Sequence, residues 1–339
     1  MNLQLQLGST LSGERIVCNS LNNGHASITG QTGTGKSTLI KNLLAQLPEQ
    51  EVLTIVFDCS GDYSSRDTDP HPRWAATSRI LWDVCSDVYD VLSVRPIYTE
   101  DGYKEKTVVT ANRFTQLLKK PLGLGNVQQA ELTHIIATAL EQDVDFSLKK
   151  LPAWLHACGY ADSNLFLKVL NFCVIMPHGN NPILWNLNCS GMHVVDIHHL
   201  DVSIQSLVIE IMLTDLWNFQ IGREDKMPMV IVLDECQRLD FHQDSIIHRI
   251  LLEGRKHEIA GWFSTQRLPF HGKMDNISEQ AALQVAFRPG AKDLKKIAKN
   301  LASGNQKQES LLTDKLAKLK VGQFICQMDG RPLLGKADR

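Results

Sequence analysis

The run Gly30-Gln31-Thr32-Gly33-Thr34-Gly35-Lys36-Ser37 has the residue types and spacing to grip phosphate. Its glycines let the chain wrap an anion with backbone N–H groups, and a helix beginning near Lys36 adds its positive N-terminal dipole. In this P-loop pattern Lys36 reaches the β- and γ-phosphates of a nucleoside triphosphate, Ser37 ligates Mg²⁺, and Thr38 extends the phosphate-binding set.

Far downstream, Asp234-Glu235 follows the five apolar residues Met229 to Leu233. A carboxylate at the carboxyl tip of a buried strand sits beside the P-loop mouth, where Asp234 holds the hydration shell of Mg²⁺. Glu235 orients and polarises the attacking water, which favours hydrolysis over phosphoryl transfer to a small acceptor. Gln266, one helix and one strand further on, ends the segment Ser264-Thr265-Gln266. A neutral amide there hydrogen-bonds both water and γ-phosphate, and so senses which nucleotide is bound. Arg255 closes the intervening helix in Leu252-Glu253-Gly254-Arg255-Lys256. A cation in that place suits the helix dipole and equally suits an arginine finger reaching a neighbouring subunit's phosphates. Spacing alone does not separate the two.

These residues need strands that end together. Residues 1–24 read as a short β extension, with Leu3, Leu5 and Leu7 alternating, then Ile16-Val17. His25 to Thr29 is a strand running into the P-loop, and the helix after it carries Leu39, Ile40, Leu43, Leu44 and Leu47 on one face before Pro48. Val52 to Phe57 is a second buried strand. From about 64 to 190 the pattern loosens into a mostly helical insertion, with helices near 127–142 and 163–174 and a loop over Pro177 to Pro182. Strand–helix units resume at Val194 to Ile197, Met229 to Leu233 and Trp262 to Gln266. The tail offers Leu283 to Phe287, a basic helix near 291–302 and a strand pair around Phe324 and Leu333. Near-continuous apolar strands separated by helices predict a mainly parallel sheet covered on both faces, in one α/β domain over 25–339.

Apolar content of 43% and charged content of 21% describe a chain that buries a full core. A formal charge of −2 excludes a basic coat for nucleic acid or anionic membrane, though not a few basic groups lining a pore. The eight cysteines include no CxxC pair and read as core thiols in a reducing compartment. No basic leader precedes the first strand, and no apolar run approaches the roughly 20 residues of a membrane span, so a cytoplasmic protein is expected.

Five segments in order resemble the HerA/FtsK superfamily of P-loop motors, on its HerA- and VirB4-like side. They are Ile28 to Ser37, Phe57-Asp58 with Gly61-Asp62-Tyr63, Leu233-Asp234-Glu235, Glu253-Gly254-Arg255-Lys256 and Ser264-Thr265-Gln266-Arg267. Phe287-Arg288-Pro289 and Leu319 to Phe324 are also similar. The resemblance implies a RecA-like (ASCE) ATPase core, a homohexameric ring, and ATP-driven movement of DNA through its pore. It implies Arg255 acting in trans, Gln266 as polar sensor, and Asp58 and Asp62 as acidic positions flanking the nucleotide, although Cys59-Ser60 departs from the family pattern. HerA proper carries a β-barrel ahead of the P-loop, where this chain has some 24 residues. A minimal motor is therefore expected to rely on a partner, such as a nuclease or other effector. A VirB4-like secretion or conjugation ATPase, and a nucleotide-held ring that activates a defence-type effector, are the alternatives.

Two further features are read as structural. Asp196-Ile197-His198-His199-Leu200-Asp201 is taken as a polar strand end, because adjacent histidines diverge in regular structure. Lys292, Lys295, Lys296 and Lys299 form a solvated basic helix face.

Overall fold

A computed structural model describes residues 3–19, 23–64, 71–83, 87–88, 104–119, 121–143, 146–161, 163–175, 181–182, 191–221, 225–239, 241, 245–267, 275–328 and 331–338. The loop expected over Pro177 to Pro182 lies outside these residues except at 181–182.

The strands are β1 (Leu5–Thr10), β2 (Arg15–Cys18), β3 (Ala26–Thr29), β4 (Leu53–Asp58), β5 (Ile80–Asp83), β6 (Asp87–Val88), β7 (Asn181–Pro182), β8 (Gly191–Asp196), β9 (Met229–Leu233), β10 (Ile259–Thr265), β11 (Leu283–Ala286), β12 (Gln323–Met328) and β13 (Arg331–Lys336). The helices are α1 (Lys36–Leu44), α2 (Pro72–Ala76), α3 (Thr107–Lys119), α4 (Asn126–Gln142), α5 (Leu151–Ala157), α6 (Asn164–Ile175), α7 (Val202–Ile221), α8 (Ile246–Glu253), α9 (Asp275–Gln280), α10 (Leu294–Leu301) and α11 (Gln306–Ala317).

Contacts divide the chain into two compact units. The first comprises Met1–Trp82, Asn186–His199 and Met227–Arg339. Its sheet runs β2-β1-β13-β12-β11-β3-β10-β9-β4-β8-β5. From β11 to β8 neighbouring strands are parallel, whereas β11, β12, β13, β1 and β2 pair antiparallel. The central strands β3, β4, β9 and β10 are buried at every residue, as expected of parallel strands covered on both faces.

Side-chain alternation sorts the core into two layers. Ile28, Val56, Val232, Trp262 and Val285 pack with Leu39, Ile40, Leu43 and Leu44 of α1. Ala286 and Ile325, of opposite parity, pack with Ile297 and Leu301 of α10 and Leu312 and Leu316 of α11.

The register decides where chemistry gathers. Thr29 pairs with Thr265, Phe263 with Leu233, Leu233 with Phe57, and Asp58 with Asp196. The P-loop, Gln266, Asp234-Glu235 and Asp58 thus leave the sheet along one carboxyl edge, where open α/β sheets bind ligands.

The second unit comprises Asp83–Trp185 and Leu200–Lys226 and is mainly helical. Within it α3 and α4 are joined by a hydroxyl pair, Thr115 Oγ1 to Thr133 Oγ1 at 2.7 Å. Glu105 and Arg113 form a 2.8 Å ion pair.

Candidate functional site: a phosphate loop joined to an acidic pair

The phosphate loop is built on left-handed glycines. Gly30, Gly33 and Gly35 have φ of +152°, +72° and +114°. A Cβ at Gly30 would stand 2.6 Å from Phe287 Cβ, so that position admits only glycine on both counts. The loop is stitched to its surroundings through its backbone. Gly30 N–H donates to Thr265 O at 3.2 Å and Gln31 N–H to Arg288 O at 3.0 Å, while Gly322 N–H donates to Thr34 O at 2.9 Å. Inside the loop, Thr34 Oγ1 and Lys36 Nζ both donate to the Gln31 carbonyl, at 2.6 and 3.2 Å. The first N–H groups of α1 have no acceptor within their own helix, so they face the loop as an anion-binding end.

Lys36 is buried, and burial lowers its pKa, while Glu235, Asp234 and Asp62 favour its charged form. The cation belongs to a field of three carboxylates, a balance that added phosphate would reset. Asp234 is 3% exposed; burial raises its pKa, and a 3.0 Å hydrogen bond from Ser60 Oγ to its Oδ2 acts in the other direction.

Glu235 follows with φ +52° and ψ +38°, a left-handed conformation costing a non-glycine residue roughly 1–2 kcal/mol. That turn aims a buried carboxylate along the edge of the sheet, and two amides hold it. Gln266 Nε2 donates to Oε1 and Gln237 Nε2 donates to Oε2. Gln266 Oε1 accepts from Thr32 Oγ1 at 2.7 Å, and Thr265 Oγ1 donates to Gln237 Oε1 at 2.8 Å. Thr32, Gln266, Glu235, Gln237 and Thr265 form one polar chain between the phosphate loop and the acidic strand end.

The turn after β4 supplies the third side. Asp58 is fully buried and accepts five backbone N–H groups, those of Ser60, Gly61 and Asp62 at Oδ1 and those of Tyr63 and Ser64 at Oδ2. Its carboxylate organises the turn. Asp62, presented by that turn, accepts from Ser37 Oγ at 2.7 Å. Ser37, Asp62 and Asp234 supply the hard oxygen donors that Mg²⁺ prefers, and the glycine nest with Lys36 fits a polyphosphate.

Arg255 is placed elsewhere. It is exposed, in the 3₁₀ turn Gly254–His257 ahead of the amino end of β10. Seven residues of strand, roughly 20 Å at about 3.3 Å each, separate it from Gln266. Within one chain the two do not meet.

A cleft of ≈520 Å³ opens beside the loop, lined by Gln31, Thr32, Gln266, Arg267, Lys292 and Asp293 among others. Ser60 and Gln237 are contributors that the motif reading passed over. Both stand within two residues of a named acid, which is the signal a closer reading would use. The expected divergence of His198 and His199 is corrected: the chain leaves β8 in a turn, and their ring centroids lie 3.5 Å apart.

Fold and site together define a RecA-like P-loop NTPase core. Residues 5–145 match the family model described as "Helicase HerA, central domain". No curated protein matches the sequence. Among solved structures, VirB4 of Thermoanaerobacter pseudethanolicus is similar at 14% identity over 99% of this chain and 96% of that one, with a TM-score of 0.76. The unbound monoclinic form of the bacterial conjugative coupling protein TrwBΔN70 is 13% identical over 99% of this chain and 89% of that one, with a TM-score of 0.61. Its trigonal form with sulphate is 15% identical over 100% and 91%, with a TM-score of 0.55. Among the described residues no helix is long and apolar enough to cross a membrane.

Proposed function

We propose that the protein is an ATP-hydrolysing motor of HerA/FtsK type that translocates along or unwinds DNA as a homohexamer, with a nuclease or other effector as partner. The observation that carries the reading is the Thr32–Gln266–Glu235 connection, which ties the phosphate loop to a buried carboxylate through a sensor amide. Lys36 and the α1 N-terminus bind and orient the phosphates. Ser37 and Asp234 would hold Mg²⁺, which when bound would supply positive charge to the phosphates. Glu235 accepts the proton of the attacking water, and Gln266 couples that carboxylate to occupancy of the loop. Arg255, exposed and remote from its own loop, serves a neighbouring subunit as an arginine finger. The match over residues 5–145 to the HerA central-domain model supports the assignment to this class of motor.

The test is DNA-stimulated ATP turnover together with six-fold rings in electron micrographs taken with ATP. A monomer whose turnover ignores DNA sinks the proposal. The similarity to VirB4 along nearly the whole chain favours a second reading, a secretion or conjugation ATPase acting on a protein assembly. Capture of membrane-complex subunits, with no DNA affinity at low salt, selects that reading.

A further inference from the structure

Outside the phosphate site, the carboxyl end of β8 gathers three metal-ligating side chains. Asp196 is the last residue of β8, in register with Asp58 at the end of β4. The chain then turns, and His198 and His199 come to lie ring against ring. His198 Nδ1 is 2.5 Å from Asp196 Oδ1. One nitrogen of each ring and one Asp196 oxygen all lie within 4.8 Å of one another. Donors around a tetrahedral ion with bonds of about 2.0–2.1 Å stand about 3.3 Å apart, so modest side-chain adjustment closes the set.

We propose that Asp196, His198 and His199 bind a divalent transition cation of the Zn²⁺ class. Two imidazoles and one carboxylate suit Zn²⁺ and its neighbours, whereas Ca²⁺ and Mg²⁺ take sets built from oxygen. The Asp196 and His198 side chains are 15% and 32% exposed, and His199 is exposed. The pair is sheltered, the third ligand reaches solvent, and one coordination position stays open to water. If metal takes His198 Nδ1, the neutral ring carries its proton on Nε2, so the hydrogen bond to Asp196 is replaced by shared coordination.

The site also has a mechanical neighbour. A Cβ at Gly61 would stand 3.4 Å from His198 Cγ, so this ring backs the turn that presents Asp62 to Ser37. A bound cation would fix that ring and brace the turn. The proposal stands whether or not the chain is a motor.

Co²⁺ titration of tag-free protein in excess Mg²⁺ tests it. A visible d–d band of nitrogen-ligated Co²⁺ is expected to saturate at one equivalent and to vanish when Zn²⁺ is added. His199→Ala, a change at an exposed side chain that spares the core, and His198→Gln should each weaken binding by about 100-fold or more. His134→Ala, an exposed histidine of α4, should change nothing. Zn²⁺ should raise the melting temperature of the wild-type protein but not of His199→Ala. The proposal is overturned if the wild-type protein gives no saturable band, or if the band survives His199→Ala.

Discussion

Gln266 donates its side-chain amide to the carboxylate of Glu235, and the same amide accepts from Thr32 at 2.7 Å. One neutral side chain therefore holds both the phosphate loop and the acid at the end of β9. Gln266→Ala cuts this tie without removing either end. Turnover should fall roughly 10- to 100-fold while nucleotide affinity changes little. Steady-state turnover and equilibrium binding of a fluorescent nucleotide separate the two quantities; an equal loss in both would mean that Gln266 only shapes the pocket.

Glu235→Gln keeps the shape of the side chain and removes its basicity. Turnover should drop by roughly 10²- to 10⁴-fold with the nucleotide still bound. Lys36→Met should show the opposite emphasis, losing affinity first, if its ammonium binds the phosphates as proposed. Single-turnover hydrolysis alongside binding isotherms distinguishes these patterns.

Arg255 yields a prediction about subunits. If it completes a neighbour's site, Arg255→Ala and Glu235→Gln proteins, each nearly inactive, should recover part of the activity when mixed, because some interfaces then pair an intact finger with an intact acid. The single substitution Arg255→Ala should cost about 10³-fold in turnover. Strict additivity of the two inactive preparations would leave the helix-dipole role as the account of this residue.

Asp58 should matter first for stability. Its two oxygens satisfy five backbone N–H groups in a buried turn. Asp58→Ala leaves several of them without an acceptor, at about 3 kcal/mol or more, since each unsatisfied buried donor costs roughly 1–3 kcal/mol. Urea unfolding measures this directly, and a loss below about 1 kcal/mol would show that water replaces the carboxylate.

His25 sets a pH dependence. It is buried, its Nδ1 accepts Gly261 N–H at 2.9 Å, and burial lowers its pKa from 6.5 to about 4. Below pH 6.5 the unfolded chain gains a proton that the folded chain refuses. The stability this group contributes above pH 6.5 is therefore lost as the pH falls toward 4, by at most about 3 kcal/mol. His25→Gln should flatten that part of the profile in urea unfolding between pH 7 and 4.

The sheet was legible in the sequence because parallel strands buried on both faces, such as Met229 to Leu233, are unbroken apolar runs. The P-loop and Asp234-Glu235 were legible because their chemistry is local. α11 escaped notice: only Leu312 and Leu316 of its twelve residues are buried, too thin a stripe to stand out. The left-handed turn at Glu235 and the roles of Ser60 and Gln237 depend on strands brought alongside by register, which no single segment encodes. The meeting of His198 with His199 was misjudged for a related reason: the strand ends at Asp196, and alternation does not govern the turn beyond it.

The backbone stitches around the phosphate loop also bear on how the protein is made. Gln31 relies on Arg288, Thr34 on Gly322, and Gly30 nestles against Phe287. β1 likewise pairs with β13, joining Ser9 to Lys336. On the ribosome this loop emerges more than 250 residues before the segments that give it shape. A nascent chain halted before Phe287 would carry the motif without its mould, and such long-range closure slows folding. The phosphate loop takes its shape only once the chain has been extended through Gly322.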